Sequence, residues 1–89
     1  VRIRFAPEIA GYIGERRWHP SQRCVVEGDG ALTLAMTVAG TDEIKSWVLQ
    51  WGGRAEVLAP ASLRRQILEE GRRFLDLYSG PGAPGEQSR

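Results

Sequence analysis

In this chain of 89 residues the only soft nucleophile and base are Cys24, the only cysteine, and His19, the only histidine. A Cys/His enzyme needs the two in contact, with a third group orienting the base. His19 and Cys24 lie five apart on one extended segment and have opposite parity, so they are expected to point to different faces. They read as a half-exposed histidine and a small buried thiol, and no catalytic residue is expected. One histidine, one cysteine and scattered carboxylates have no metal-ligand spacing. Gly28-Asp29-Gly30 and Gly52-Gly53 are too short to cradle a phosphate and read as a turn and a helix stop. No cofactor is expected. What remains is the stretch Arg16-Arg17-Trp18-His19-Pro20-Ser21-Gln22. It holds two adjacent arginines and a tryptophan outside any periodic run. Trp18 is either a cap over the edge of the core or part of a binding surface.

The elements that must position this stretch are legible on either side of it. Val1 to Phe5 alternates apolar and arginine residues, the pattern of a strand with one buried and one charged face. Pro7 and Glu8 open a helix with an Ile9, Tyr12, Ile13 stripe. Gly11 and Gly14 weaken that helix and suit a close approach to a sheet. Arg23 to Glu27 is a second strand, Gly28-Asp29-Gly30 a hairpin turn and Ala31 to Val38 a third strand. Thr41 is the expected N-cap of a second helix carrying Ile44, Trp47, Val48 and Trp51 on one face. Gly52-Gly53 stops it with a left-handed cap. Arg54 to Leu58 is a fourth strand. Ala61 to Tyr78 is a last helix with a stripe of Leu63, Ile67, Leu68, Phe74, Leu75 and Tyr78, laced by Arg65–Glu69 and Glu69–Arg73 pairs. Residues 79–89, with five Gly or Pro, read as a disordered tail after a domain of residues 1–78.

The class is α+β. The first six elements, β-α-β-β-α-β, are the split repeat of a ferredoxin-like domain, and a C-terminal helix follows. Right-handed crossovers then place strands one and three at the centre of a four-stranded antiparallel sheet, with the first two helices on one face. The other face would show Arg2, Arg4, Thr33, Ala35 and Thr37, to be covered by the last helix, another domain or another subunit. Single-stranded RNA binding on such sheets uses aromatics on the central strands, and none stands here. Arg2 and Arg4 are left either as phosphate contacts or as a solvated strand face.

Composition bounds the answer further. Eighty-nine residues make one domain. The net charge of +1 implies no polyanion partner by itself. It is unevenly spread: residues 1–23 carry +3, residues 24–63 carry −3 and the remainder +1. A single cysteine forbids an internal disulfide and fits a cytoplasmic setting. No run approaches a membrane span, and no signal peptide is visible. Val1 leads straight into a strand, as expected of a piece of a longer protein.

Arg16 to Gln22, the arginine-containing first strand with Ala6-Pro7-Glu8, Val38-Ala39-Gly40, Trp47-Val48-Leu49 before Gly52-Gly53, and Ala55 to Pro60 with Leu63-Arg64 occur here in one order. As a set they resemble the C-terminal extension (WCX) of bacterial WYL-domain transcriptional regulators, the YafY/DeoR-like group. The resemblance spans residues 1 to about 78. It implies a regulatory, oligomerising and effector-sensing module that lacks the DNA-reading domain. Its implied partners are its own upstream WYL and helix-turn-helix domains, further copies of itself and an anionic or nucleic-acid effector, with no membrane. By position, Arg16, Arg17 and Arg23 are the ligand-facing residues, with Trp18, His19, Arg2 and Arg4 completing the contact set. The alternatives are a stand-alone single-stranded nucleic-acid-binding module and, last, a small ferredoxin-like isomerase or acylphosphatase-type enzyme, which lacks an acid/base pair.

Overall fold

The computed structural model describes residues 1–79. In chain order the elements are β1 (Arg2–Phe5), α1 (Pro7–Gly14), β2 (Arg23–Val26), β3 (Leu32–Ala35), α2 (Asp42–Leu49), a 3-10 turn (Gly52–Arg54), β4 (Ala55–Ala59) and α3 (Ala61–Ser79). The strands form one antiparallel sheet in the order β2-β3-β1-β4. This is the expected ferredoxin-like arrangement with a C-terminal helix.

Parity builds the core. Ile3 and Phe5 of β1, Leu32 and Leu34 of β3 with the following Met36, and Val57 of β4 are buried on one face. Ala10 and Ile13 of α1, Val48 of α2 and Leu63 of α3 close over them. Strand three is shorter than its alternation suggests, and Val38 packs beyond its end. Gly14 earns its place by proximity: a Cβ there would lie 3.0 Å from Leu32 Cδ1. Gly11 has open space around it, so close approach does not explain that glycine.

The β2–β3 turn is tied from within. Gly30 adopts φ +92°, the left-handed region. Asp29 accepts the Ala31 N–H at 3.0 Å and pairs with Arg4. The Ala31 N–H, with Arg4 adding to it, holds the Asp29 carboxyl below the ordinary aspartate range.

Four local expectations are corrected. Thr41 occupies the N-cap of α2, but its side chain makes no capping bond, and Asp42 and Glu43 supply the favourable charge of the first turn. Cys24 is exposed rather than buried. Helix α1 packs on β3 and β1, leaving the edge strand β2 exposed along its length. On α3 the Arg65–Glu69 and Glu69–Arg73 pairs do not form among the described residues. Arg73 meets Glu70 at 3.6 Å, and Arg64 crosses to Glu56 at 3.1 Å and to the Val57 carbonyl at 2.8 Å. Exposed pairs gain little over solvation, so their geometry is easily exchanged.

The fourth concerns the α3 stripe. Leu63 is fully buried and Ile67 partly so, but Leu68 is 52% exposed, Phe74 48%, Leu75 67% and Tyr78 74%. A helix of 19 residues is about 28 Å long. The five-residue β4 spans only about 17 Å, so the helix outruns the body it packs on. Its contacts are with β4 and α2. It does not cover the open sheet face, where Arg2 and Thr37 are exposed and Arg4, Thr33 and Ala35 are half-buried. The expected tail begins at Ser79, the last residue of α3, and otherwise lies outside the described residues. No helix among the described residues is long and apolar enough to cross a membrane.

Candidate functional site

Between α1 and β2 the chain makes a hook, and Gln22 is its clasp. The Gln22 Oε1 accepts the backbone N–H of Trp18 and, at 3.1 Å, that of His19. Its Nε2 donates to the Arg16 carbonyl at 2.9 Å, and its own backbone N–H donates to the His19 carbonyl at 3.0 Å. One amide side chain thus satisfies three backbone groups that no helix or strand would satisfy. Ser21 fastens the hook to the end of β3: its Oγ accepts the Thr37 N–H at 2.9 Å.

His19 belongs to the same fastening. Its Nδ1 accepts the Ser21 N–H at 3.1 Å and lies 2.8 Å from Ser21 Oγ. With Nδ1 accepting, the neutral ring carries its proton on Nε2. A serine and a histidine side by side suggest acyl transfer, but a triad orients the ring through the nitrogen opposite the nucleophile. No hydrogen bond to Nε2 forms among the described residues. Here the pair is a turn fastener. Gln22 Nε2 is also 3.8 Å from Cys24 Sγ, a weak contact.

Trp18 caps the edge of the core. Its Nε1–H donates to the Ile13 carbonyl at 2.9 Å, satisfying an acceptor at the C-terminal end of α1. Its ring packs 5.0 Å from Trp47 and 6.2 Å from both Tyr12 and Trp51, in a cluster that reaches Phe5 through Trp47. These tilted and edge-on geometries suit the ring quadrupoles. It therefore caps the core. It also forms one wall of a cleft of about 460 Å³ between the hook and α2, with His19, Val38, Glu43, Ile44 and Trp47. Arg16 rises beside it with its guanidinium 3.8 Å above the centre of the Tyr12 ring. Arg17 is exposed.

The seven residues expected to contact a ligand fall into two groups. Arg16, Arg17, Trp18 and His19 stand together on the helical side of the sheet. Arg2, Arg4 and Arg23 lie on the opposite face, because Arg2 and Arg23 each pair across the sheet with Ala35 while Arg4 pairs with Thr33. Arg23 is thus separated from Arg16 and Arg17, its near neighbours in sequence, by the thickness of the sheet. Arg4 is engaged with Asp29. Val38, Glu43 and Ile44 were not anticipated in the cleft, since they belong to segments more than fifteen residues away from the hook and only the tertiary fold brings them in. The clasp role of Gln22 was equally unforeseen. A side-chain amide following a Pro-containing turn was the available signal.

No curated protein matches the chain significantly. The profile of one family, the WCX domain, matches residues 1–75. That span takes in the whole sheet, α1, the hook, the cleft and most of α3. The family is associated with regulation rather than with enzymatic activity. With the profile running through every element that builds the site, the chain belongs to the WCX domain family.

Proposed function

We propose that residues 1–78 form the regulatory, oligomerising and effector-sensing module of a bacterial, cytoplasmic WYL-domain transcriptional regulator, the WYL and helix-turn-helix domains being its partners in that regulator. The observation that carries this reading is the clasped hook. It holds Arg16 and Arg17 outward and Trp18 against an aromatic cleft, in a geometry built for contact and without an acid/base pair oriented for catalysis. The hook is one unit, clasped by Gln22 and tied to the end of β3 by Ser21 and to the core by Trp18. An anionic effector docking on Arg16 and Arg17 would change how that unit meets a neighbouring domain, which is the differential contact any population shift requires. The exposed apolar half of α3 offers the surface for self-association.

The test uses the complete regulator, with a short single-stranded oligodeoxynucleotide as the anionic probe and operator binding as the readout. The double variant Arg16→Ala/Arg17→Ala is expected to need about tenfold more probe for half-maximal response, as loss of two charge-assisted contacts implies. Its stability should fall by no more than about 1 kcal/mol, the worth of the Arg16–Tyr12 contact at an exposed site. A response curve unchanged by the double variant removes this assignment.

A further inference from the structure

The open face of the sheet carries an ordered row. Arg23 of β2 pairs with Ala35 of β3, Ala35 pairs with Arg2 of β1, and Arg2 pairs with Ala59 of β4. Directly opposed residues share a face, so the row reads arginine, alanine, arginine across β2, β3 and β1, while the β1–β4 register shifts between Arg2 and Ile3. Strands about 4.8 Å apart put the Arg2 and Arg23 Cα atoms about 10 Å from one another, with only a methyl group between them.

The surroundings leave this pair uncompensated. The carboxylates of the face lie one row or more away and are already engaged. Asp29 is with Arg4, Glu56 with Arg64 at 3.1 Å, and Glu27 accepts the Thr33 hydroxyl at 2.7 Å. Among the described residues neither Arg2 nor Arg23 has a carboxylate within ion-pair distance. A depression of about 570 Å³ opens between them, bounded at its end by Ser21, Gln22 and Thr37. The Thr37 hydroxyl makes no hydrogen bond among the described residues.

We propose that this depression binds a phosphate oxyanion between Arg2 and Arg23, over the Ala35 methyl, with the Thr37 hydroxyl as an additional donor. A guanidinium from either side of the Ala35 methyl can present paired N–H donors to one anion, the geometry that oxyanions select. Any larger side chain at position 35 would fill the space the anion occupies. The site lies on the other face of the sheet from Arg16 and Arg17, so it stands or falls apart from the effector surface proposed above.

The experiment is a ¹⁵N–¹H correlation titration of the chain with inorganic phosphate, with sodium chloride at matched ionic strength as the control. A second titration uses a thymidine oligonucleotide. The amides of Ser21, Arg23, Ala35 and Thr37 are expected to shift and saturate at millimolar phosphate, but not with chloride. Arg2→Gln/Arg23→Gln should weaken binding about tenfold or more. Arg23→Gln alone, on the exposed edge strand, should show most of that loss with the fold intact. Arg72→Gln, on α3 and not on this face of the sheet, should leave phosphate binding unchanged. An oligonucleotide that binds more tightly than phosphate, with steep salt dependence, identifies a nucleic-acid backbone as the source; equal affinity per phosphate identifies a free phosphate group. Non-saturating shifts that chloride reproduces overturn the proposal, as does equal affinity in the Arg23→Gln variant.

Discussion

Trp18→Ala lowers the stability of the domain by about 2–3 kcal/mol, less than the 3–5 kcal/mol of a fully buried tryptophan because one side of this ring faces the cleft. For a domain of this size that is a fall of about 10–20 °C in Tm, readable in a thermal melt. Three losses contribute. Trp47, Tyr12 and Trp51 lose an aromatic neighbour at 5.0 to 6.2 Å. The Ile13 carbonyl loses the shorter of its two hydrogen bonds and keeps the Arg16 N–H at 3.3 Å, a loss of at most about 1 kcal/mol. The hook loses the side chain that binds it to the core. Trp18→Phe separates these, since it keeps most of the ring contact and discards the N–H. It should cost at most about 1 kcal/mol more than the loss of ring area alone, since the Ile13 carbonyl keeps the Arg16 N–H. If Trp18→Ala melts within a degree or two of the parent chain, the hook is not anchored through this ring.

Leu63→Ala is the second large effect, with an expected cost of about 2–5 kcal/mol. Leu63 is fully buried and is the one completely enclosed residue of α3. In proteins most helical stability comes from packing of an apolar face rather than from propensity, so α3 depends on its docking for helicity. Loss of the anchor should release the outer turns first, seen as a drop in amide protection along α3 while β1 and β3 stay protected. Leu75→Ala provides the contrast. At 67% exposure it should change the stability of the isolated chain by no more than about 0.5 kcal/mol. Equal losses from Leu63→Ala and Leu75→Ala would mean that the whole stripe, and not its first turns, holds the helix.

The fold was legible because its signals are periodic. Alternation in Val1–Phe5 and Leu32–Met36 assigned the buried face of each strand, and the burial of Ile3, Phe5, Leu32, Leu34 and Met36 follows it residue by residue. Periodicity says which side of an element is apolar, but not whether anything is there to cover that side. It therefore failed at Cys24, which lies on an edge strand that no helix reaches, and at Phe74, Leu75 and Tyr78, where the helix continues past its support.

The candidate site was legible only in part, for a related reason. The hook was recognisable as a cluster of unusual residues, but its internal order rests on Gln22 bonding backward to Arg16, Trp18 and His19. No periodic pattern records such a bond. The parting of Arg23 from Arg16 and Arg17 required the strand register, which sets the face of Arg23 through its pairing with Ala35.

The outer half of α3, where Phe74, Leu75, Leu77 and Tyr78 are exposed together, is the self-association surface proposed above. Sedimentation of the complete regulator carrying Leu75→Glu/Tyr78→Glu tests this most directly. Both positions are exposed within the chain, so the variant should fold. A buried apolar interface should not tolerate two added carboxylates. The expected result is a shift from dimer or higher oligomer to monomer, with the stability of the chain itself unchanged. An oligomer that persists undiminished at micromolar concentration would contradict the assignment of α3 as the self-association surface.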